Sequence, residues 1–452
     1  MNQQVLTFDV VVLGTGPAGS TVAKKAAESG HSVAIAESRE FGGTCALRGC
    51  NPKKVYANAA AIVDQVRRAD GGLIVDTGVK IDWSRLFEFK NSFTEPIAAT
   101  SEKSFQDAGI STFHGAARFA AETEILVGDQ RLSAKKVVVA TGAAPVELSI
   151  PGTESITDSD GFFELEQLPK RIAFIGGGYV SMEFAHVAAR AGSDVTVVDH
   201  HDCVLTGFDP DLVRLLQVYS ERHGMHFRLN SRATGVECQS DGSRIVRLEN
   251  GDTINCDMVV HGAGRVPNIS HLQLDIAKVN YSAGGIVVDE FMRSVSNPHV
   301  FAAGDCAAKS EPMLTPAANE EARAILKNLF ETQPKATPAY GHIPAVVFTV
   351  PAIAAVGMSE KQARERGRKF DVRFKDTSTS SSVRKTGKTV AGFKLIIEKD
   401  TDLLLGAHLL GPAAEETINL FALAMRFDLT ATDLKSTLFA FPTFAADVRK
   451  MI

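Results

Sequence analysis

Two stretches of the chain share one pattern of apolar and polar positions. Each has a short apolar run, a glycine-rich turn, a helical periodicity, a second apolar run and then an acid. The first is FDVVVLGTGPAGSTVAKKAAESGHSVAIAES, with Phe8 to Leu13 ahead of Gly14, Gly16 and Gly19, and Glu37 closing the second run. The other is RIAFIGGGYVSMEFAHVAARAGSDVTVVDH, with Gly176 and Gly178, Ser181 in the third glycine place, and Asp199 as the acid. First glycine to acid is 23 residues in both, which marks a repeated module. Such glycines permit the tight turn and the close backbone approach that a pyrophosphate at a helix N-terminus requires, while the acid reaches a ribose hydroxyl. Two dinucleotide sites in one chain suit hydride relay through a flavin.

The second acid bears on the nicotinamide nucleotide. A carboxylate at the ribose favours NADH and repels the 2′-phosphate of NADPH. Against this stand Ser181 and the adjacent His200 and His201, since a protonated imidazole tolerates a phosphate. NADH is the expected donor. A metal site made of His200, His201, Asp202 and Cys203 is set aside, because consecutive residues seldom converge on one ion and a nucleotide-edge loop accounts for them.

At 452 residues the chain exceeds one ordinary core, and two or three domains are expected. Its net charge of −5 argues against nucleic-acid binding, which needs a basic field. No integral membrane association is expected: residues 343–357 come nearest to a spanning run, and prolines and a Gly-Met-Ser exit break them. The run Val10 to Leu13 leads straight into a glycine motif, so it reads as a first strand and not as a signal peptide. Six cysteines in so long a chain do not make a disulfide scaffold, and a reducing cytoplasm is the expected location.

Two of those cysteines invite a chemical reading. In GGTCALRGCNPKK, Cys45 and Cys50 are five residues apart. In an ideal helix that spacing puts the Cα atoms about 8.7 Å apart, beyond the roughly 7 Å limit for a disulfide. A bond would need a distorted helix start, which Gly42, Gly43 and Gly49 permit. Cys45 is expected near the helix N-terminus, where a thiolate is favoured. Two buried structural cysteines are the plain alternative.

The pattern GGTCxxxGCxPKK directly after a dinucleotide fingerprint resembles the class I pyridine nucleotide-disulfide oxidoreductases. ATG at Ala140-Thr141-Gly142, the IPG at 150–152, GRVPN at 264–268, VFAAGDCA at 300–307 and MLTPAA at 313–318 extend the resemblance over essentially the whole chain. It implies an α/β protein with two Rossmann-like domains, for FAD and NAD(P), and a C-terminal α+β dimerisation domain. The implied boundaries are 1–150 with 271–334 for FAD, 151–270 for NAD(P)H, and 335–452 for the interface of a homodimer. It implies a redox disulfide in which Cys50 is the flavin-proximal sulfur and Cys45 attacks the external acceptor. Lys53 and Glu183 resemble the family's pair beside the flavin, Tyr179 the aromatic lid over the nicotinamide, and Asp305 the acid on the ribityl chain. Thr44 is implied to touch the flavin ring. Thr315 opens a helix through Pro316 whose dipole faces the flavin. Thr141, Gly142, Gly264 and Arg265 join the cofactor-binding set through their motifs.

The C-terminal FAFPTFAAD departs from the family. Where the resemblance implies His-Pro-Thr-x-x-Glu, this chain has Phe441 in the histidine position and Ala446 in the glutamate position. Neither side chain transfers a proton, and Asp447 is one residue out of register. The stretch is expected to pack across the dimer interface. Arg48, between the cysteines, reads equally as an aid to a thiolate and as a solvated helix charge. Three functions follow: reduction of a small disulfide without the usual base; transfer to another small-molecule acceptor, such as a quinone, an electrophile, a metal ion or oxygen; or a non-catalytic redox sensor.

Overall fold

A computed structural model describes residues 5–70, 72–75, 78–310 and 312–452. The chain divides into two compact units, the first made of residues 1–52, 91–146 and 265–340, the second of 53–90, 147–264 and 341–452.

The first unit is built on Val5–Leu13, whose last four residues are fully buried. A stretch covered on both faces must be apolar, and Val10 to Leu13 are, whereas Thr7 and Asp9 fall in the less buried first half. Val33–Glu37 and then Ser111–His114 lie beside it on one side, and Gln130–Val139 on the other, all parallel. Val300–Ala302 adds a parallel strand against Val137 to Val139. The short strands Ala117–Phe119 and Glu124–Val127 complete the sheet as an antiparallel extension. Helix Pro17–Glu28 buries Ala18, Gly19, Val22, Ala23 and Ala26 and packs against helix Thr315–Asn328. Both begin with proline in the first turn, where its missing N–H costs nothing.

The second unit repeats the parallel theme in the order Met225–Arg228, Asp194–Val198, Arg171–Ile175, Met258–His261, Ile156–Thr157. Helix Tyr179–Ala191 follows its glycine turn and stops at Gly192, which takes the left-handed conformation open to glycine. Residues 345–410 supply a five-stranded antiparallel sheet backed by helix Ala414–Arg426. Residues 53–90, which the sequence placed with the first segment, cluster here because Tyr56, Ala60, Trp83 and Leu86 are buried in this unit's core.

Ser181 in the third glycine place has a compensation in this unit. It is fully buried, and the residue opposite is Gly262, where a Cβ would overlap the Ser181 hydroxyl. The turn therefore admits a side chain on one strand-to-helix face because the facing backbone carries none. Gly262→Ala is expected to destabilise the unit by about 1–3 kcal/mol through overpacking, and Ser181→Gly in the same chain should restore it. Chemical denaturation of the single and double variants reads this out.

Candidate active site

In the first unit the glycine turn and the cysteine segment are tied together. Gly14 takes φ +102°, and a Cβ there would overlap the Ala140 carbonyl, so the turn presses on the ATG segment. Gly19 sits so close to the Gly14 carbonyl that no side chain fits. Around Gly16, by contrast, a Cβ would meet nothing within 4 Å, leaving open space at the helix start. Glu37 accepts from the Thr15 backbone N–H at 3.0 Å and its hydroxyl at 2.6 Å, both on Oε2, and from the Arg39 N–H at 3.0 Å on Oε1. The Gly42 N–H in turn donates to Thr15 Oγ1 at 3.0 Å, and Gly43 lies against Gly16 with no room for a Cβ. The cysteine segment is thus anchored directly on the first glycine turn.

That segment is not one helix. A short helix, Gly43–Leu47, holds Thr44 and Cys45, and its last turn closes with the Arg48 N–H on the Thr44 carbonyl at 2.8 Å. Helix Cys50–Ala69 starts afresh. Gly49 fills the break, where a Cβ would meet the Thr44 carbonyl at 2.9 Å and Cys45 Cα at 3.2 Å. The long helix therefore begins at Cys50, and Cys45 lies inside the short one, a correction to the expected placing of Cys45 at a single helix start. The Thr315 hydroxyl donates to Cys45 Sγ at 3.4 Å, bringing the start of helix Thr315–Asn328 to that sulfur. Cys45 is half-buried and Cys50 exposed. Arg48 is no solvated charge: its guanidinium, 13% exposed, pairs with Glu40 at 2.6 Å.

Thr141, Gly142, Arg265 and Asp305, also expected at the flavin, lie in this unit, and Gly264 is the last residue of the second unit's segment. The Asn268 N–H donates to the Gly142 carbonyl at 2.9 Å, and Arg265 donates to the Ala143 carbonyl at 2.5 Å across the short antiparallel pair of residues 143–145 and 265–267. Gly264 takes φ +122° just ahead of it. Thr141 Oγ1 is buried without a hydrogen-bond partner. Asp305 lies in a single helical turn, and burial pushes its carboxyl up from the usual range, opposed by Lys309 and Arg265. An orphaned buried hydroxyl, an open glycine turn and acceptor capacity left on Glu37 fit a dinucleotide such as FAD.

Behind Asp305 stands a residue that motif reading missed. Glu321, wholly buried on helix Thr315–Asn328, accepts from the Gly304 N–H at 2.6 Å, pairs with Lys309 and takes the Tyr340 hydroxyl at 3.2 Å. The available signal was an acid within the apolar stripe Ala317, Ala318, Ala322, Ile325 of its helix. Glu321→Ala strands Lys309 in the interior and is expected to cost about 3–5 kcal/mol, whereas Glu321→Ala with Lys309→Met should recover much of it. Thermal unfolding and flavin retention through gel filtration measure both.

In the second unit, Lys53 and Glu183 form an ion pair with both side chains largely buried. Glu183 also accepts from the Phe348 N–H at 2.7 Å, a partner no sequence motif indicated. Tyr179, half-exposed at the first position of its helix, has Lys53 Nζ 4.9 Å from its ring centre. Gly176 takes φ +97° against Ala263, and around Gly178 a Cβ would find only the Gly262 carbonyl, at 3.6 Å. Asp199 accepts from the Gly177 N–H at 2.5 Å on Oδ2, and from the His201 N–H at 2.8 Å on Oδ1. Of the set considered for a metal, His200 and His201 lie close together, and with Asp199 in place of Asp202 and Cys203 their ligand atoms fall within 4.8 Å of one another.

The C-terminal helix Phe444–Met451 is capped by the Thr443 hydroxyl, which accepts from the Ala446 N–H at 3.2 Å. Val448 and Ile452 are buried in the core of the antiparallel sheet, so the tail is docked by its far end. Phe441 is 81% exposed. Asp447 pairs with Lys450 at 3.0 Å and is engaged within its own helix.

Comparison with known proteins settles the class. Residues 8–322 match the pyridine nucleotide-disulphide oxidoreductase family, and residues 343–452 match that family's dimerisation domain. A glutathione reductase of Burkholderia cepacia is 33% identical over 449 residues, covering 98% of both chains. A dihydrolipoyl dehydrogenase of Chlamydia muridarum is 31% identical, covering 97% of this chain and 94% of its own. Among solved structures, a Cu(II) complex of the HOCl-induced flavoprotein disulfide reductase RclA from Escherichia coli superposes with a TM-score of 0.87 at 25% identity, covering 98% of both chains. The chain belongs to the pyridine nucleotide-disulphide oxidoreductase family, and is an FAD- and NAD(P)-dependent oxidoreductase. Among the described residues no helix is long and apolar enough to cross a membrane.

Proposed function

We propose that the protein reduces a small disulfide at the expense of NADH through Cys45 and Cys50, without a histidine–glutamate base, as a homodimer. The observation that carries this reading is the anchoring of the cysteine segment on the first glycine turn, with the Thr315 hydroxyl on Cys45 Sγ. Bound FAD supplies the link that carries reducing equivalents from the nicotinamide to the cysteine pair. Gly14, Gly16, Gly19 and Glu37 would hold its pyrophosphate and ribose, and Thr141, Gly142, Asp305 and Arg265 its far end.

The chemistry of this chain's own residues is thiol–disulfide exchange. Cys45 as thiolate attacks one sulfur of the acceptor, forming a mixed disulfide and releasing the first thiolate, which takes its proton from water. Cys50 as thiolate then attacks Cys45 Sγ, closing the internal disulfide and releasing the second. Lys53, held by Glu183, fixes a positive charge at the start of the same helix that bears Cys50. Asp199 favours the free 2′-hydroxyl of NADH. Matching of residues 343–452 to the dimerisation domain supports a homodimer, as do the exposed Leu423, Phe427 and Leu438.

A second reading has a specific observation behind it: a structural relative forms a Cu(II) complex, which motivates a metal ion as the acceptor here. The test is anaerobic reduction of the holoenzyme with NADH and NADPH in turn, followed by oxidised glutathione, lipoamide and Cu(II) as acceptors. NADH-driven disulfide reduction is the expected result. Cu(II) reduction that survives Cys45→Ser, with no disulfide turned over, would replace it with the second reading.

A further inference from the structure

The strand Asp194–Val198 ends at Asp199, and the chain then bends so that two imidazoles fold back over that carboxylate. Nδ1 of His201 lies 2.7 Å from Asp199 Oδ1, and Nδ1 of His200 lies 3.7 Å from the same oxygen. The two rings lie against each other at a tilt of 39°, centroids 3.8 Å apart. Asp199 itself is buried and fixed, its other oxygen held by the Gly177 N–H at 2.5 Å. Both imidazoles are about half exposed, so an ion has a way in and open coordination positions on arrival.

We propose that Asp199, His200 and His201 form a binding site for a divalent transition metal of the zinc class, and that metal held there excludes the nicotinamide nucleotide. The exclusion rests on the reading above that Asp199 serves the nucleotide ribose. Zinc bound tetrahedrally at about 2.0–2.1 Å requires ligand atoms roughly 3.3–3.4 Å apart. The two separations from Asp199 Oδ1 bracket that value, and all three ligand atoms lie within 4.8 Å of one another, so movement of His200 toward the other two and loss of the proton between His201 and Asp199 complete three ligands. Two imidazoles and one carboxylate select zinc, copper or nickel over magnesium or calcium, which prefer all-oxygen sets. The backbone N–H on Oδ2 orients the carboxylate, the arrangement that raises the affinity of metal sites.

An ion on Oδ1 occupies the lone pair that the ribose hydroxyl needs. Zinc and NADH must then weaken each other by the same factor. When zinc exceeds its dissociation constant about tenfold, the NADH concentration for half-maximal flavin reduction should rise about tenfold, and a chelator should reverse it.

The test uses air-oxidised holoenzyme, so that the Cys45 and Cys50 thiols do not compete for the metal. Calorimetric titration with zinc chloride should give one site per chain, lost in His200→Ala and in His201→Ala, whose exposed side chains can be removed without opening a core. In parallel, anaerobic flavin reduction by NADH is followed with and without zinc, with dithionite as a reductant that needs no nucleotide site. Slowing of the NADH reaction alone is the expected result. Zinc binding that persists in both variants overturns the site. Histidine-dependent zinc binding that leaves the NADH dependence unmoved overturns the exclusion. Should NADH fail to reduce the flavin even without zinc, the nucleotide reading falls while the calorimetry still decides the site.

Discussion

Cys45→Ser is expected to lower disulfide turnover by about 10⁴-fold or more, on the scale at which losing a nucleophile acts, while reduction of the bound flavin by NADH should continue. The same variant decides which sulfur faces the flavin. With Cys50 as the flavin-proximal thiolate, Cys45→Ser keeps the long-wavelength absorbance that a thiolate beside a flavin produces, and Cys50→Ser loses it. Anaerobic titration of both variants measures this. The structure makes the comparison pointed, because the sulfur touching Thr315 is that of Cys45, and Cys50 is the more exposed. Loss of the absorbance in Cys45→Ser would exchange the two roles.

Phe441→His combined with Ala446→Glu should raise disulfide turnover by about 10²–10⁴-fold, the usual contribution of a positioned acid–base group. Phe441 is exposed, so a histidine there disturbs no packing within the chain. Ala446 is the third residue of its helix, and its N–H already bonds the Thr443 hydroxyl. Glutamate at that position would complete a reciprocal cap with Thr443 and sit favourably at the positive helix end. Ala446→Glu alone is therefore expected to steady the helix without raising turnover. Steady-state rates with oxidised glutathione and lipoamide are the measurement. A double variant no faster than the parent would mean that proton transfer does not limit this protein and that its acceptor is not a disulfide.

The fingerprints were legible because their spacing is local: Gly14 to Glu37 and Gly176 to Asp199 each lie within one strand–helix–strand unit. The start of helix Thr315–Asn328 was equally readable from Pro316. What sequence could not supply was contact between distant segments. Nothing in the local pattern tells that Gly262 makes room for Ser181, that Phe348 donates to Glu183, or that Lys309 and Tyr340 meet at Glu321. In the cysteine segment the ideal-helix spacing pointed to a distortion that the glycines permit, and the chain takes it as a break at Gly49 between two helices. Nor could the local pattern show that the chain bends after Asp199 so that His200 and His201 lie against its carboxylate.

Val137 to Val139 are completely buried, yet their neighbour Val300–Ala302 arrives about 160 residues later in the chain. At ribosomal rates of about 5–20 residues per second, that interval is roughly 10–30 s. Throughout it the nascent chain carries a finished glycine turn beside an apolar strand edge with no partner, the kind of edge that recruits other chains. A message cut short anywhere between those strands yields a product that can neither close its sheet nor stay apart from its neighbours. The sheet that carries the first glycine turn is therefore closed only after residues 300–302 have been made.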